Sequence, residues 1–347
     1  MRCSERLPRI TAAIHRYVEQ YDPIGFLVGV LLPGEGPSEA RRWDFAHGVA
    51  REGGLPPDAR TIWQIGSLSK TFTATLLAQA TQRGLRLDEL VQPYAPPGVV
   101  LPTYDGDDEP LGPRFVDLAT HTAGLPLDPR GVPPEGGYTT EEMYRYLDRY
   151  ALAIAPGKHW SYSNTGFGLL ANILQRFSRM PSYQSMIDEL KDEGRLPMPD
   201  TTVSPDEAQK LRRAYGYTAP GRRAKWDTST WPAFDGSGAL YSTIDDMMVW
   251  LRFNLAQTCS PIDDLLAITQ TIYDYRPPQP MGLAWQLTPY APSGATCWAK
   301  DGRTTGFRSY IAFSRELRGG TVILCNSIWA DPTELALEIM RALAAPE

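Results

Sequence analysis

Cysteine and histidine are scarce, and their placement excludes the commonest metal and redox centres. Cys3, Cys259, Cys297 and Cys325 form no Cys-x-x-Cys pair and have no histidine at ligand spacing, so free thiols, no metal and no cofactor are expected. His15, His47, His121 and His159 are equally dispersed. A Gly-x-Ser-x-Gly elbow is missing; the nearest approach, Asp235-Gly236-Ser237-Gly238-Ala239, fails at both outer positions, which argues against a Ser-His-Asp site of that type. Long apolar runs are absent too. Ile24 to Leu32 is too short to span a bilayer and is interrupted by glycine, so no membrane segment is expected. Basic residues are not in excess: the net charge is -6, with no basic tract interleaved with aromatics, and nucleic acid is not an expected partner. Met1-Arg2-Cys3-Ser4-Glu5-Arg6 lacks the apolar stretch of a secretory signal, which predicts a cytoplasmic protein, or a periplasmic or secreted one if a leader has been removed.

What is present is the composition of a globular protein, 42% hydrophobic and 21% charged over 347 residues, enough for about two lobes. Leu7, Ile10, Ile14, Tyr17 and Val18 recur at helical spacing, predicting a helix over about 6–20. Strand patterns follow at Gly25–Leu32, Arg42–Val49 and Thr61–Ile65, read as an antiparallel meander. A helix starting near Ser67 carries Phe72, Leu76, Leu77 and Ala80 inward and stops at Arg83-Gly84. From Leu85 to about Pro280 the pattern is helices joined by long loops. One helix follows the capping box at Thr139, one opens at Ser242-Thr243, and one is expected near Ser260-Pro261. Strand patterns return at Gly282–Leu287, Ala295–Lys300, Phe307–Phe313 and Thr321–Cys325, before a final helix behind Asp331-Pro332-Thr333-Glu334. The predicted class is α+β, an α/β sandwich in which both termini build one antiparallel sheet flanked by helices, with a mainly helical lobe inserted. Residues 1–66 and 281–347 are expected to form the sheet lobe and 67–280 the helical one, with the active site at their junction.

Three short motifs carry chemistry. In Ser67-Leu68-Ser69-Lys70 a helical turn brings a hydroxyl and an amine within reach, and an amine desolvated enough to lose its proton can activate the serine. In Tyr162-Ser163-Asn164 a phenol can move a proton between Ser67 and a leaving group, and an amide can hold a carbonyl. In Lys300-Asp301-Gly302-Arg303-Thr304 a lysine and a close-approaching backbone can face an anionic intermediate. Each motif alone is commonplace: a chance tetrapeptide, a turn and a glycine-rich hairpin. Ser-x-x-Lys, Tyr-x-Asn and Lys-x-Gly nevertheless occur once each, in that order.

With these motifs, and with Leu118–Leu127, Gly238–Met248 and Thr304–Phe313, the chain resembles the serine β-lactamases and penicillin-binding D,D-peptidases of the class C type. Tyr94-Ala95-Pro96-Pro97-Gly98 and Pro102-Thr103-Tyr104 look closer to the class-C-type D-alanyl-D-alanine carboxypeptidases and endopeptidases. The resemblance implies an acyl-enzyme on Ser67, with Lys70 and Tyr162 sharing the base role and Lys300 supplying positive charge. It also implies an oxyanion hole from the backbone N–H groups of Ser67 and Arg303, Asn164 on the acyl side-chain amide, and Asp301, Gly302 and Thr304 at the substrate. The expected partner is a small-molecule or peptide acyl substrate. Asp301 stands where most relatives carry threonine or serine, and the Asn326-Ser327-Ile328-Trp329-Ala330 segment lacks a lysine after its asparagine. An aspartate there repels a substrate carboxylate, unless it turns to Arg303 or Arg308 or one of these arginines binds the carboxylate instead. The alternatives to a hydrolase are an acyltransferase, esterase or peptide-releasing enzyme of a biosynthetic pathway, and a β-lactam-binding sensor without turnover.

Overall fold

The computed structural model describes residues 3–34, 40–105, 110–130, 137–225, 231–275, 280–289 and 294–345. The side chain of Cys3 lies outside the described residues. The strands in chain order are β1 (Gly25–Leu32), β2 (Arg41–Gly48), β3 (Trp63–Gln64), β4 (Tyr217–Ala219), β5 (Arg222–Arg223), β6 (Tyr241–Ser242), β7 (Gln286–Pro289), β8 (Thr296–Arg303), β9 (Arg308–Ser314) and β10 (Gly319–Cys325). Among the described residues, six of them form one antiparallel sheet in the order β2-β1-β10-β9-β8-β7, so both ends of the chain build it. β1 is buried along its whole length, because both sheet faces are covered. Phe26, Val28, Val30 and Leu32 meet the first helix, Cys3–Tyr21, and the last, Thr333–Ala344, while Leu27 and Leu31 face the helices of the middle of the chain.

The predicted meander is corrected at its third strand. Only Trp63–Gln64 is extended, and it pairs with β6 in a separate ribbon. Gln64 donates to the Tyr241 hydroxyl at 3.0 Å and Ile65 N to Leu240 O at 3.0 Å, so local partners hold this segment away from the sheet. Near Ser260-Pro261 the chain makes turns, and helix runs only over Leu265–Thr269. β7 begins later than the apolar pattern implies, since Gly282 and Leu283 donate to Trp285 O and Thr269 O and Ala284 has φ +62. Cys297 and Cys325 lie buried in β8 and β10 as free thiols, and burial pushes them up to about 12 and about 11, away from reactivity.

A 3₁₀ turn, Gly66–Leu68, leads into the central helix, Ser69–Gln82, whose residues from Ser69 to Ala80 are all buried. A helix buried on every side must satisfy its polar side chains internally. Thr71 Oγ1 donates to Leu68 O at 2.7 Å and accepts from Trp250 Nε1 at 3.0 Å; Thr73 Oγ1 donates to Gly236 O at 2.6 Å. Trp250, on the helix Ile244–Asn254 that lies between the central helix and the sheet, stacks on Phe72 with centroids 3.9 Å apart. Among the described residues, no helix is long and apolar enough to cross a membrane. Trp250→Ala removes the stack and the hydrogen bond together, and should cost about 3–5 kcal/mol in urea unfolding; a loss below about 1 kcal/mol would show that the central helix is held by other contacts.

Candidate active site

Ser67 sits where two main chains press together. Gly66 has φ +52, a conformation open to glycine, and a Cβ there would stand 2.7 Å from Arg303 N. Gly302 is as tightly placed: a Cβ on it would collide with Ile65 O and Ser309 Oγ. Ser309 Oγ donates to Ile65 O at 2.8 Å, tying β9 to the turn that carries Ser67. The backbone around Ser67 therefore lies against that of Arg303, at the end of β8 that extends beyond its pairing with β7, which covers residues 296–299.

Lys70 Nζ is buried and donates three hydrogen bonds: to Ser67 Oγ at 3.1 Å, Asn164 Oδ1 at 2.7 Å and Ser237 O at 2.6 Å. The Tyr162 hydroxyl is 2.6 Å from the same Ser67 oxygen. Tyr162 precedes the helix Asn164–Ser178, whose N-cap Ser163 accepts from Gly166 N at 2.8 Å and donates to Pro126 O at 2.6 Å. Lys300 Nζ stands 5.2 Å from the centre of the Tyr162 ring, and Lys70 Nζ 4.8 Å from it.

These charges set the protonation of the group. Burial lowers the Lys70 pKa from its ordinary value, and the charge on Lys300 pushes the same way against the opposing pull of Tyr162. Burial alone would raise the Tyr162 phenol, but the positive charges of Lys300 and Lys70 outweigh it and hold it below the usual value. Lys300 loses to burial and gains more from Asp301 and Tyr162, so it stays protonated with a raised pKa. A serine oxygen flanked by an amine and a phenol, both shifted towards their deprotonated forms, can give up its proton on attack.

Asp301 does not turn to Arg303 or Arg308, as the sequence left open. Its Oδ1 accepts from Lys300 Nζ at 2.5 Å, while Arg308 donates to Ile328 O at 2.9 Å and lies 3.6 Å from Asp331. The physical reason is proximity: the lysine is the neighbouring residue and needs a counter-charge in its buried position. Asn164, expected to hold a substrate amide, has both ends engaged, with Nδ2 donating to Asp128 Oδ1 at 3.0 Å. Thr304 N closes the β8–β9 turn on Phe307 O at 3.1 Å, and its Oγ1 is buried without a hydrogen-bond partner.

In the sequence His121 is one of four scattered histidines and belongs to none of the three motifs. It is buried, has φ +62, and lays its ring on Tyr162 with centroids 4.3 Å apart. Its carbonyl accepts from Ser161 N at 2.8 Å and its Nδ1 from Ser163 N at 3.1 Å, so it grips the chain on both sides of Tyr162. Burial drives its pKa well below the ordinary value, so the ring is neutral. Asp128 and the Ser237 carbonyl were also missed. The first lies just past the Leu118–Leu127 segment already singled out; the second is a backbone group, which sequence motifs do not mark.

A family model described as Beta-lactamase matches residues 15–341. The D-alanyl-D-alanine-carboxypeptidase/endopeptidase AmpH of Escherichia coli (strain K12) is 34% identical over 215 residues, covering 60% of this chain and 52% of that protein. The match thus spans about half the length of that relative. A Beta-lactamase of Pseudomonas fluorescens is 27% identical over 378 residues, covering 96% of this chain and 98% of its own. Among solved structures, a Beta-lactamase/D-alanine Carboxypeptidase from Yersinia pestis superposes with TM-score 0.83 at 22% identity, over 98% of this chain and 100% of that one. A class C beta-lactamase gives TM-score 0.83 at 23% identity, over 100% and 99%. At these identities the structural likeness speaks for the fold.

The two charges at the open end should move the Tyr162 phenol in opposite directions. Lys300→Met removes the cation that lowers it and should raise its pKa; Asp301→Asn removes an anion that raises it and should lower it. Ultraviolet titration, with Tyr162→Phe subtracted in each background, reads both shifts. Shifts of the same sign would contradict the electrostatics described.

Proposed function

This chain belongs to the beta-lactamase family, and we propose that it is a serine acyl hydrolase cleaving an amide or ester through an acyl-enzyme on Ser67. The observation that carries the proposal is the pair of contacts to one oxygen, 3.1 Å from Lys70 Nζ and 2.6 Å from the Tyr162 hydroxyl. Ser67 Oγ attacks the carbonyl carbon as its proton passes to the Lys70–Tyr162 pair. The oxyanion so formed is stabilised by the backbone N–H groups of Ser67 and Arg303. Collapse of the tetrahedral intermediate breaks the bond to the leaving group, which takes the proton from the pair. Water then gives a proton to the same pair and attacks the ester, releasing the acid and restoring the Ser67 hydroxyl. Lys70 and Tyr162 titrate as a unit, so the base is the pair. Relatives named for β-lactams and D-alanyl-D-alanine peptides support this reaction class, as does the contact geometry.

In a screen of nitrocefin, a D-alanyl-D-alanine peptide and short p-nitrophenyl esters, Ser67→Ala should abolish every turnover that the wild-type protein shows, while the fold is kept. Tyr162→Phe should slow acylation by about 10²–10⁴-fold, and Lys70→Ala by at least as much. Near-wild-type turnover in folded Ser67→Ala would remove the reading. Because the active pair is the deprotonated one, the rate should rise with pH and level off below the ordinary phenol and amine range, and a rate that falls with rising pH in that window would oppose it.

A further inference from the structure

We infer that Asp301 sets the substrate class of this site, selecting acyl donors whose leaving side ends in a carboxamide or an amine rather than a carboxylate. This rests on the acyl-enzyme reading above and adds what the site accepts. The cation at the open end is already occupied. The Lys300 side chain is 1% exposed, and its Nζ donates to the Asp301 carboxylate at 2.5 Å and to the Asp301 carbonyl at 2.7 Å. The Asp301 side chain is 51% exposed, so the carboxylate is the member of the pair that is open to solvent. The pair is formed by neighbouring residues on one strand, and an incoming anion would have to displace a counter-ion that cannot diffuse away.

Two other cations nearby, Lys70 and Arg308, are committed. All three N–H bonds of Lys70 go to Ser67, Asn164 and Ser237. Arg308 is turned to Ile328 O and Asp331. Arg303 is exposed on the same strand end and is the competing receptor for a carboxylate. The net charge of the Lys300–Asp301 pair is zero, and what it shows to solvent is carboxylate lone pairs. These accept hydrogen bonds from an amide N–H or an ammonium and repel another carboxylate.

Three thioesters of one acyl group separate these cases, with mercaptoacetate, mercaptoacetamide and cysteamine as leaving thiols, released thiol being read colorimetrically and corrected for the uncatalysed rate. The wild-type enzyme should favour the amide and amine thiols over the carboxylate by about tenfold or more in kcat/KM. Asp301→Asn, checked for folding by near-ultraviolet circular dichroism, should reduce that ratio by a similar factor. Equal or better turnover of the carboxylate thioester, with a ratio unmoved by Asp301→Asn, would overturn the inference while leaving the acyl-enzyme intact. A carboxylate preference that disappears in Arg303→Ala would also overturn it, by making the arginine the receptor. Absence of Ser67-dependent release from all three thioesters would remove the acyl-enzyme reading itself, and the inference with it.

Discussion

A lysine amine shut away from water loses its proton or is surrounded by acceptors, and at Lys70 both pressures act. The acceptors come from three separate parts of the chain: the hydroxyl one turn earlier, the Asn164 amide at the start of a helix, and the Ser237 carbonyl. Much of the architecture exists to keep those three in place. The central helix is buried all round so that Lys70 is buried with it, and its threonines are satisfied by their own turn and by neighbouring elements such as Trp250 and Gly236. The Tyr162 loop is fixed from the other side, by the Ser163 cap and by His121 on either flank.

Against this buried amine stands the strand end carrying Lys300. The two lysines share one phenol, and each lowers its pKa. Two cations so close would repel, and Asp301 compensates for the second of them: its carboxyl is held below the usual range chiefly by the Lys300 charge. The same pairing that makes the site electrostatically tolerable decides what it presents to a substrate. Close backbone packing of Gly66 against Arg303 and of Gly302 against Ile65 joins the Ser67 turn to the strand end, leaving no room for a Cβ at either glycine.

How much of this was legible depended on whether the cause was local. Strand β1 follows from a short continuous apolar run and the final helix from apolar periodicity, and the capping box at Thr139 forms as its residues dictate. The Ser67, Lys70 and Tyr162 cluster was legible because three motifs, each commonplace alone, occur together once and in order, and these side chains do meet. Residues 61–65 read as a strand of the main sheet because a local strand pattern does not reveal which partner it pairs with; the partner is β6, far along the chain, with Trp63 opposite Ser242. Asp301 stands out in the sequence, but Arg303 and Arg308 are equally plausible partners there; only the folded strand end shows that its counter-charge is the adjacent Lys300. His121 carries no sequence signal of a ligand or a base, because it makes contact with a ring and with two backbone N–H groups.

The account stands on Ser67 being the activated nucleophile, and covalent labelling reads this directly. Folded protein is treated with a fluorophosphonate, and the adduct is located by peptide mapping. The account predicts one adduct, on the peptide carrying Ser67, forming faster as the pH rises. An adduct on another serine, or none in folded protein, would contradict it.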